Sequence, residues 1–245
     1  MIEKLDRADK ILVARGHFDS RSAAQAAIAA GKVKVAGRVL VKPSEKISAS
    51  ARIEAEAAHP WVSRAGLKLE YALDVFGVDP LGQHCLDIGA STGGFTDVLL
   101  SRGAARVIAV DVGRDQLHDK LQNDPRVVSL EATDARGLTP DLAERSPELI
   151  VCDASFISLH KLLSVPLSFA GNGADFIALF KPQFEVGREH IGKGGIVTNL
   201  AAIKTAETAF VNWLADQGWR VEARVDSPIK GGDGNAERLI YAVKA

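Results

Sequence analysis

The chain has 245 residues, 47% hydrophobic and 25% charged, with a formal net charge of −1; this is the composition of a globular protein with a proper core, and it excludes nucleic-acid binding through overall charge alone. The charge is uneven. Residues 1–60 carry 11 Lys and Arg against 7 Asp and Glu, while the other 185 carry 19 against 24, so a basic module is joined to an acidic one. Cys85 and Cys152 each sit in a strand-like apolar run outside any CxxC pair, which reads as reduced core cysteines of a cytoplasmic protein. The start, MIEKLDRADK, has no apolar leader core. The most apolar long stretch is broken by Pro166, Gly171, Asn172, Gly173 and Asp175, so no membrane span is expected.

In chain order, RADKILVARG predicts a short helix closed by Gly16. DSRSAAQAAIAAG predicts a second helix, capped by Asp19, Ser20 or Ser22 and stopped at Gly31. KVKVAGRVLVKPSEKI alternates and turns at Ala36-Gly37, as a β-hairpin does. These elements make a first domain over residues 1–58, followed by a linker over 59–62 and a second domain over 63–245. In the second domain SRAGLKLEYALDVFG reads as a helix, and strand-like and helix-like runs then alternate to the end. ISLHKLLSVPLSFA is expected as one helix, and WRVEARVDSP and RLIYAVKA as a closing pair of strands. The pattern predicts an α/β fold whose mostly parallel sheet is covered on both faces, with an antiparallel last strand.

Asp87, Asp111, Asp134 and Asp153 fall at or near successive strand ends, where open α/β sheets bind ligands. Between the first strand and its helix runs LDIGASTGGFT, in which Gly89, Gly93 and Gly94 permit tight turns and close approach to a ligand. A phosphate-binding P-loop is excluded because Phe95 follows Gly94, and a dinucleotide fingerprint is excluded by the G-x-x-x-G-G spacing. A carboxylate at Asp111 can accept both hydroxyls of a ribose, and Asp134 is placed to accept from an adenine amino group.

FIALFKPQFEVG poses a separate question. Its strand must stop at Lys181, because Pro182 follows. A lysine fixed at the end of a buried strand needs a partner. Asp153 ends the preceding strand, and the antiparallel last strand begins beside Glu237, so Asp153, Lys181 and Glu237 converge on one rim. Taken alone, they read equally as an ion-pair network or as a site, and Lys68 reads as a solvated lysine.

Two resemblances sharpen this reading. ADKILVARGHFDSRSAAQAAIAAGKVKVAGRVL resembles the RNA-binding module named after ribosomal protein S4, through Arg21 and GKVKVAG. The glycine loop is similar to the D-x-G-x-x-x-G-G form of S-adenosylmethionine methyltransferases. Lys68, Asp153, Lys181 and Glu237 stand in the order of the K-D-K-E tetrad of FtsJ-like RNA ribose 2′-O-methyltransferases. The phrases WVSRAGLKLEYAL, DIGASTGGFTD, CDASFISL, LFKPQFEVGRE, GKGGIV and ERLIYAV together resemble the TlyA family, whose members are often labelled haemolysin A. Where FtsJ enzymes in general carry Pro-Gly-Gly-Trp, this chain has Thr92-Gly-Gly-Phe95.

The resemblance implies a Rossmann-like methyltransferase that acts on cytidine 2′-hydroxyls in ribosomal RNA. It implies the tetrad as catalytic group, with Lys181 accepting or stabilising the proton of the attacking hydroxyl. It also implies S-adenosylmethionine as cofactor, held by Asp87, Gly89, Ser91, Gly93, Gly94, Phe95, Asp111, Asp134 and Asp153. The basic residues expected to meet ribosomal RNA or ribosomal subunits are Arg15, Arg21, Lys32, Lys34 and Arg38, with Arg64 just beyond the linker. No metal is expected, since no His/Cys cluster has ligand spacing. The rival readings are a membrane-active haemolysin and a non-catalytic ribosome-binding factor.

Overall fold

The structure, a computed structural model, describes residues 5–245. Residues 1–4, where the segment read as lacking a leader core begins, lie outside the described residues. The chain divides into two compact units, one ending at Pro60 and the other running from Trp61 to Ala245. Trp61 and Val62, expected in a linker, thus belong to the second unit.

The first unit contains β1 (Leu5–Arg7), α1 (Ala8–Ala14), α2 (Arg21–Ala29), β2 (Val33–Val35), β3 (Arg38–Val39), β4 (Lys46–Ser48) and β5 (Ile53–Ala55). Ser20 caps α2 by accepting from the Ala23 amide at 3.2 Å. Gly16 and Gly31 take left-handed φ values of 70° and 69° just past the two helices. Ala36 and Gly37, at φ 49° and 80°, make the left-handed pair that joins β2 to β3. The three-residue strands β1, β4 and β5 are too short to show a period in the sequence; β1 pairs with β4 and β5 with β2. Asp9 is fully buried and accepts from Arg7, Arg21 and Gln25, so four residues of α1, α2 and their approach share one carboxylate. The Arg7 hydrogen bonds hold that carboxyl well below the usual carboxylate range, helped by Arg21 and Gln25.

The second unit opens with α3 (Ala65–Phe76), β6 (His84–Ile88), α4 (Gly94–Ser101), β7 (Arg106–Val110), α5 (Asp119–Gln122) and β8 (Val127–Leu130). It continues through β9 (Leu149–Cys152), α6 (Leu159–Leu162), α7 (Ser164–Ser168), β10 (Asp175–Phe180), α8 (Pro182–Glu185), α9 (Leu200–Asp216), β11 (Trp219–Asp226) and β12 (Arg238–Lys244). The single helix expected over 157–170 is two short pieces. The break falls at Leu163: Pro166, inside the second piece, lacks an N–H and crowds the carbonyl of Leu162 one turn back.

Seven strands form one sheet in the order β8-β7-β6-β9-β10-β12-β11. β6 to β10 are parallel, and β12 is antiparallel to both of its neighbours. Helices cover both faces. On one, α6, α7 and α9 pack Leu163, Leu167, Phe210 and Leu214 against Phe176, Phe180 and Trp219. On the other, Leu69 and Leu73 of α3 and Val98 and Leu99 of α4 cover Ile177 and Leu179. Fully burying such side chains stabilises by about 1.5–3 kcal/mol each. The sheet is therefore a rigid base, and its carboxyl-end rim is where polar side chains gather.

Candidate active site

β6 and β9 pair with Ile88 opposite Cys152, so Gly89 and Asp153 step off the sheet together. Gly89 has φ 80°, and a Cβ there would lie 2.9 Å from the Ala154 Cα. At Gly94 a Cβ would meet Ser63 Oγ at 2.2 Å. Ser63 is held in place by the segment before α3. The Val62 amide donates to buried Asp97 at 2.9 Å, and Trp61 covers Gly66, donating its indole N–H to Glu70 at 3.1 Å. The glycine loop is thus compressed between the β9 rim and the entry to α3.

Two adjoining cavities open beside this loop. The larger, about 390 Å³, is lined by Gly89, Ser91, Asp111, Gln116, Ala135 and Phe156, among others. The smaller, about 180 Å³, is lined by Ser63, Ala65, Gly94, Phe95, Ser155 and Lys181, and shares Gly89, Ser91, Asp153 and Ser155 with the first. Asp111 accepts from the Ser91 amide at 2.8 Å and the Gly113 amide at 2.7 Å, which fixes its carboxylate at the wall of the larger cavity.

Three residues expected at the cofactor are placed elsewhere. Asp87 is fully buried beneath the loop and accepts from Thr96 Oγ1 at 2.7 Å. Burial pushes its carboxyl up to about 7. It braces the start of α4 and does not line either cavity. Gly93 is turned toward α5, where a Cβ would meet Leu121 at 2.1 Å. Asp134 caps a 3₁₀ turn and pairs with Arg136 at 2.5 Å, which lowers its pKa; its neighbours Thr133 and Ala135 line the cavity instead. An acid after a strand can serve as cap or as ligand, and in the sequence the two look alike.

The tetrad comes together as two ion pairs. Phe180 of β10 lies opposite Arg238 of β12, so Lys181 and Glu237 reach the same rim. Lys68 projects from the inner face of α3 and meets Glu237 at 2.5 Å, with both side chains buried. Lys181, 7% exposed, pairs with Asp153 Oδ1 at 2.6 Å. Its ammonium also donates to Ser155 Oγ at 2.8 Å and to the Asp153 carbonyl at 3.3 Å. Asp153 and Lys181 open onto the smaller cavity, whereas Lys68 and Glu237 do not line it.

Of the residues expected to meet RNA, Arg21 is bound to Asp9, Arg15 donates to the Ala51 carbonyl at 2.6 Å, Lys32 pairs with Glu56 at 3.2 Å and Arg38 pairs with Glu45. Lys34 is exposed on β2. Arg64 belongs to the second unit and donates to the Lys230 carbonyl at 3.3 Å.

Sequence reasoning missed Ser63, Gln116, Ser155 and Phe156. The last is 91% exposed at φ 68°, with its ring 5.2 Å from that of Phe184. For Ser63, Ser155 and Phe156 the signal was available in the phrases around Lys68 and Asp153, although no chemistry there singled them out; Gln116 lies outside those phrases. Glu185, also missed, accepts from the Leu159 amide at 2.8 Å, and burial pushes its carboxyl up to about 7. Among the described residues no group of three or more His, Cys, Asp or Glu is placed to hold a metal ion, and no helix is long and apolar enough to cross a membrane.

The strand order, with β12 inserted antiparallel, and the compressed glycine loop facing an acid-lined cavity define a methyltransferase-type α/β domain carrying a small RNA-binding-type module. A family model described as FtsJ-like methyltransferase matches residues 61–244, and one described as S4 domain matches residues 6–53. The chain is 44% identical over 237 residues to the 16S/23S rRNA (cytidine-2′-O)-methyltransferase TlyA of Mycobacterium tuberculosis, covering 96% of this chain and 88% of that one. It is 40% identical to Hemolysin A of Brachyspira hyodysenteriae, over 97% of this chain and 99% of that one. A solved structure named for hemolysin, from Streptococcus thermophilus, superposes with a TM-score of 0.78 at 40% identity, covering 98% of this chain and 89% of that one. The chain belongs to the TlyA family of FtsJ-like methyltransferases.

Proposed function

We propose that this chain transfers a methyl group from S-adenosylmethionine to a cytidine ribose 2′-hydroxyl of ribosomal RNA, in the cytoplasm where ribosomes are made. The observation that carries this reading is Lys181, buried at a strand end, tied to Asp153 and opening onto the cavity beside the glycine loop. The residues present fit the cofactor. Gly89 and Gly94 line the cavities at points where the protein leaves no space for a Cβ, so bare backbone faces the ligand, and Asp111 presents a fixed carboxylate to the larger cavity. Asp111 and Gln116 would hold the ribose side, and the Gly89–Phe95 loop with Ser63 the amino-acid side. When bound, S-adenosylmethionine supplies an electrophilic methyl on a positively charged sulfur.

The rest of the chemistry belongs to the chain. A ribose hydroxyl is a weak nucleophile and must lose its proton, which Lys181 takes or offsets. Asp153 orients the Lys181 amine. Lys68 and Glu237 neutralise each other behind it and brace α3 against β12, as positioning residues. The first unit holds the RNA through its basic residues. The test is tritium transfer from labelled S-adenosylmethionine to ribosomal subunits, with the product mapped by mass spectrometry. 2′-O-Methylcytidine is expected; no transfer to RNA in either subunit, free or assembled, would overturn the assignment.

A further inference from the structure

We propose that Ser155 is the proton relay between the substrate hydroxyl and Lys181, an inference that rests on the function just given. The Lys181 ammonium has three N–H donors: it hydrogen-bonds Ser155 Oγ at 2.8 Å and the Asp153 carbonyl at 3.3 Å, and it is ion-paired with the Asp153 carboxylate, whose Oδ1 lies at 2.6 Å. The Ser155 hydroxyl is the side chain that hydrogen-bonds this ammonium among the described residues. To take a proton, Lys181 must be a neutral amine, with two N–H groups and a lone pair. A carboxylate and a carbonyl can only accept, so they hold the two N–H groups. A hydroxyl both donates and accepts. Among these three partners, only Ser155 can both accept from the ammonium and, by reversing its O–H, donate to the lone pair of the neutral amine.

Ser155 is also where such a relay must be. It is exposed, while Lys181 is 7% exposed, and it lines both cavities, whereas Lys181 lines only the smaller. The step balances. The substrate O–H bond breaks and its proton bonds to Ser155 Oγ. The Ser155 O–H bond breaks and that proton bonds to the Lys181 lone pair. One proton has moved from substrate to lysine, serine is unchanged, and nothing is oxidised or reduced. The substrate oxygen keeps its electron pair and forms the bond to the methyl carbon as the carbon–sulfur bond breaks, its pair remaining on sulfur.

A serine that only anchors the ammonium makes the opposite prediction from a relay. Without the hydroxyl the charged lysine loses an acceptor, and hydrogen bonds to charged groups are the stronger kind. The proton is then held less tightly, more neutral amine is present at neutral pH, and an anchor-only role predicts an unchanged or faster reaction. A relay predicts a slower one.

The experiment uses the full chain with Ser155→Ala and Ser155→Thr, ribosomal subunits and tritiated S-adenosylmethionine. For Ser155→Ala we expect kcat to fall by about 100-fold or more with KM unchanged. S-adenosylmethionine affinity by calorimetry and melting temperature should match the parent. Ser155→Thr should restore most of the rate. A Ser155→Ala enzyme at parental kcat, or a threonine variant as slow as the alanine one, would each overturn the relay. An active Ser155→Ala beside an inactive Lys181→Ala would sink the relay alone, whereas a parent chain that methylates no RNA would sink the function beneath it.

Discussion

Glu237→Gln tests the division of the tetrad into a bracing pair and a cavity pair. Lys68 and Glu237 are each 5% exposed and meet at 2.5 Å. Removing the carboxylate leaves the Lys68 ammonium buried without its counter-charge. Breaking a buried pair from one side costs about 3–5 kcal/mol. For a unit the size of residues 61–245, 1 kcal/mol moves the melting temperature by about 2–4 °C, so a fall of roughly 6–20 °C is expected. Lys68→Met combined with Glu237→Gln removes both charges, and such replacements are often neutral. The double variant should recover most of the lost stability and keep its affinity for S-adenosylmethionine, because neither side chain lines the cavities. Calorimetric melting of the full chain, followed by titration with the cofactor, reads both quantities. If Glu237→Gln melts with the parent, or if the double variant is no better than the single, the pair is not the brace described.

Asp111→Ala should weaken S-adenosylmethionine binding at least tenfold, since it also frees the Ser91 and Gly113 amides that shape the cavity wall, at about 1.5–3 kcal/mol per charged hydrogen bond; unchanged affinity in calorimetry would remove it from the site. Gly94→Ala should likewise abolish tight cofactor binding, because its Cβ would meet Ser63 Oγ at 2.2 Å, and a parental dissociation constant would refute the compressed loop. Lys181→Ala and Lys181→Arg should both stop methyl transfer while binding cofactor, the arginine keeping charge without a compact amine; an active arginine variant would show that only a fixed charge is needed. Asp87 and Glu185 have carboxyls raised to about 7 when folded, so the folded state binds more protons than the unfolded one from about pH 4 to 7 and their effect lowers stability as pH rises through that window. Glu185→Gln should therefore melt above the parent at pH 8 and level with it at pH 4, and equal melting curves at both would contradict the burial argument.

Most of the sheet was legible because its strands are apolar runs punctuated by glycine and acid, from HCLDIG to DFIALFKP. The meeting of Asp153, Lys181 and Glu237 followed from strand ends alone. Lys68 did not, although its spacing of four from Ala72 and one from Leu69 puts it on the buried face of α3. A lysine on that face looks like any other until its partner, 169 residues away, is in place. Asp87 and Asp134 lie outside the lining of the two cavities, and a carboxylate that caps a turn and one that grips a ligand share the same position in a β-α unit. The division between the two units falls inside the expected linker, and Trp61 goes with the second unit through its packing on Gly66, which loop-like sequence does not reveal.

β12 lies between β10 and β11 although it follows both of them in the chain. While the chain is still being synthesised, β10 has no neighbour on that side, and Lys68 has no counter-ion. At about 5–20 residues per second, the glycine loop exists many seconds before Glu237 is added. The larger cavity, with Asp111 and the Gly89 turn, is built wholly from residues 88–162 and can fold around cofactor early. The glycine loop and both members of the Asp153–Lys181 pair thus precede in synthesis the strand that brings Glu237 to Lys68.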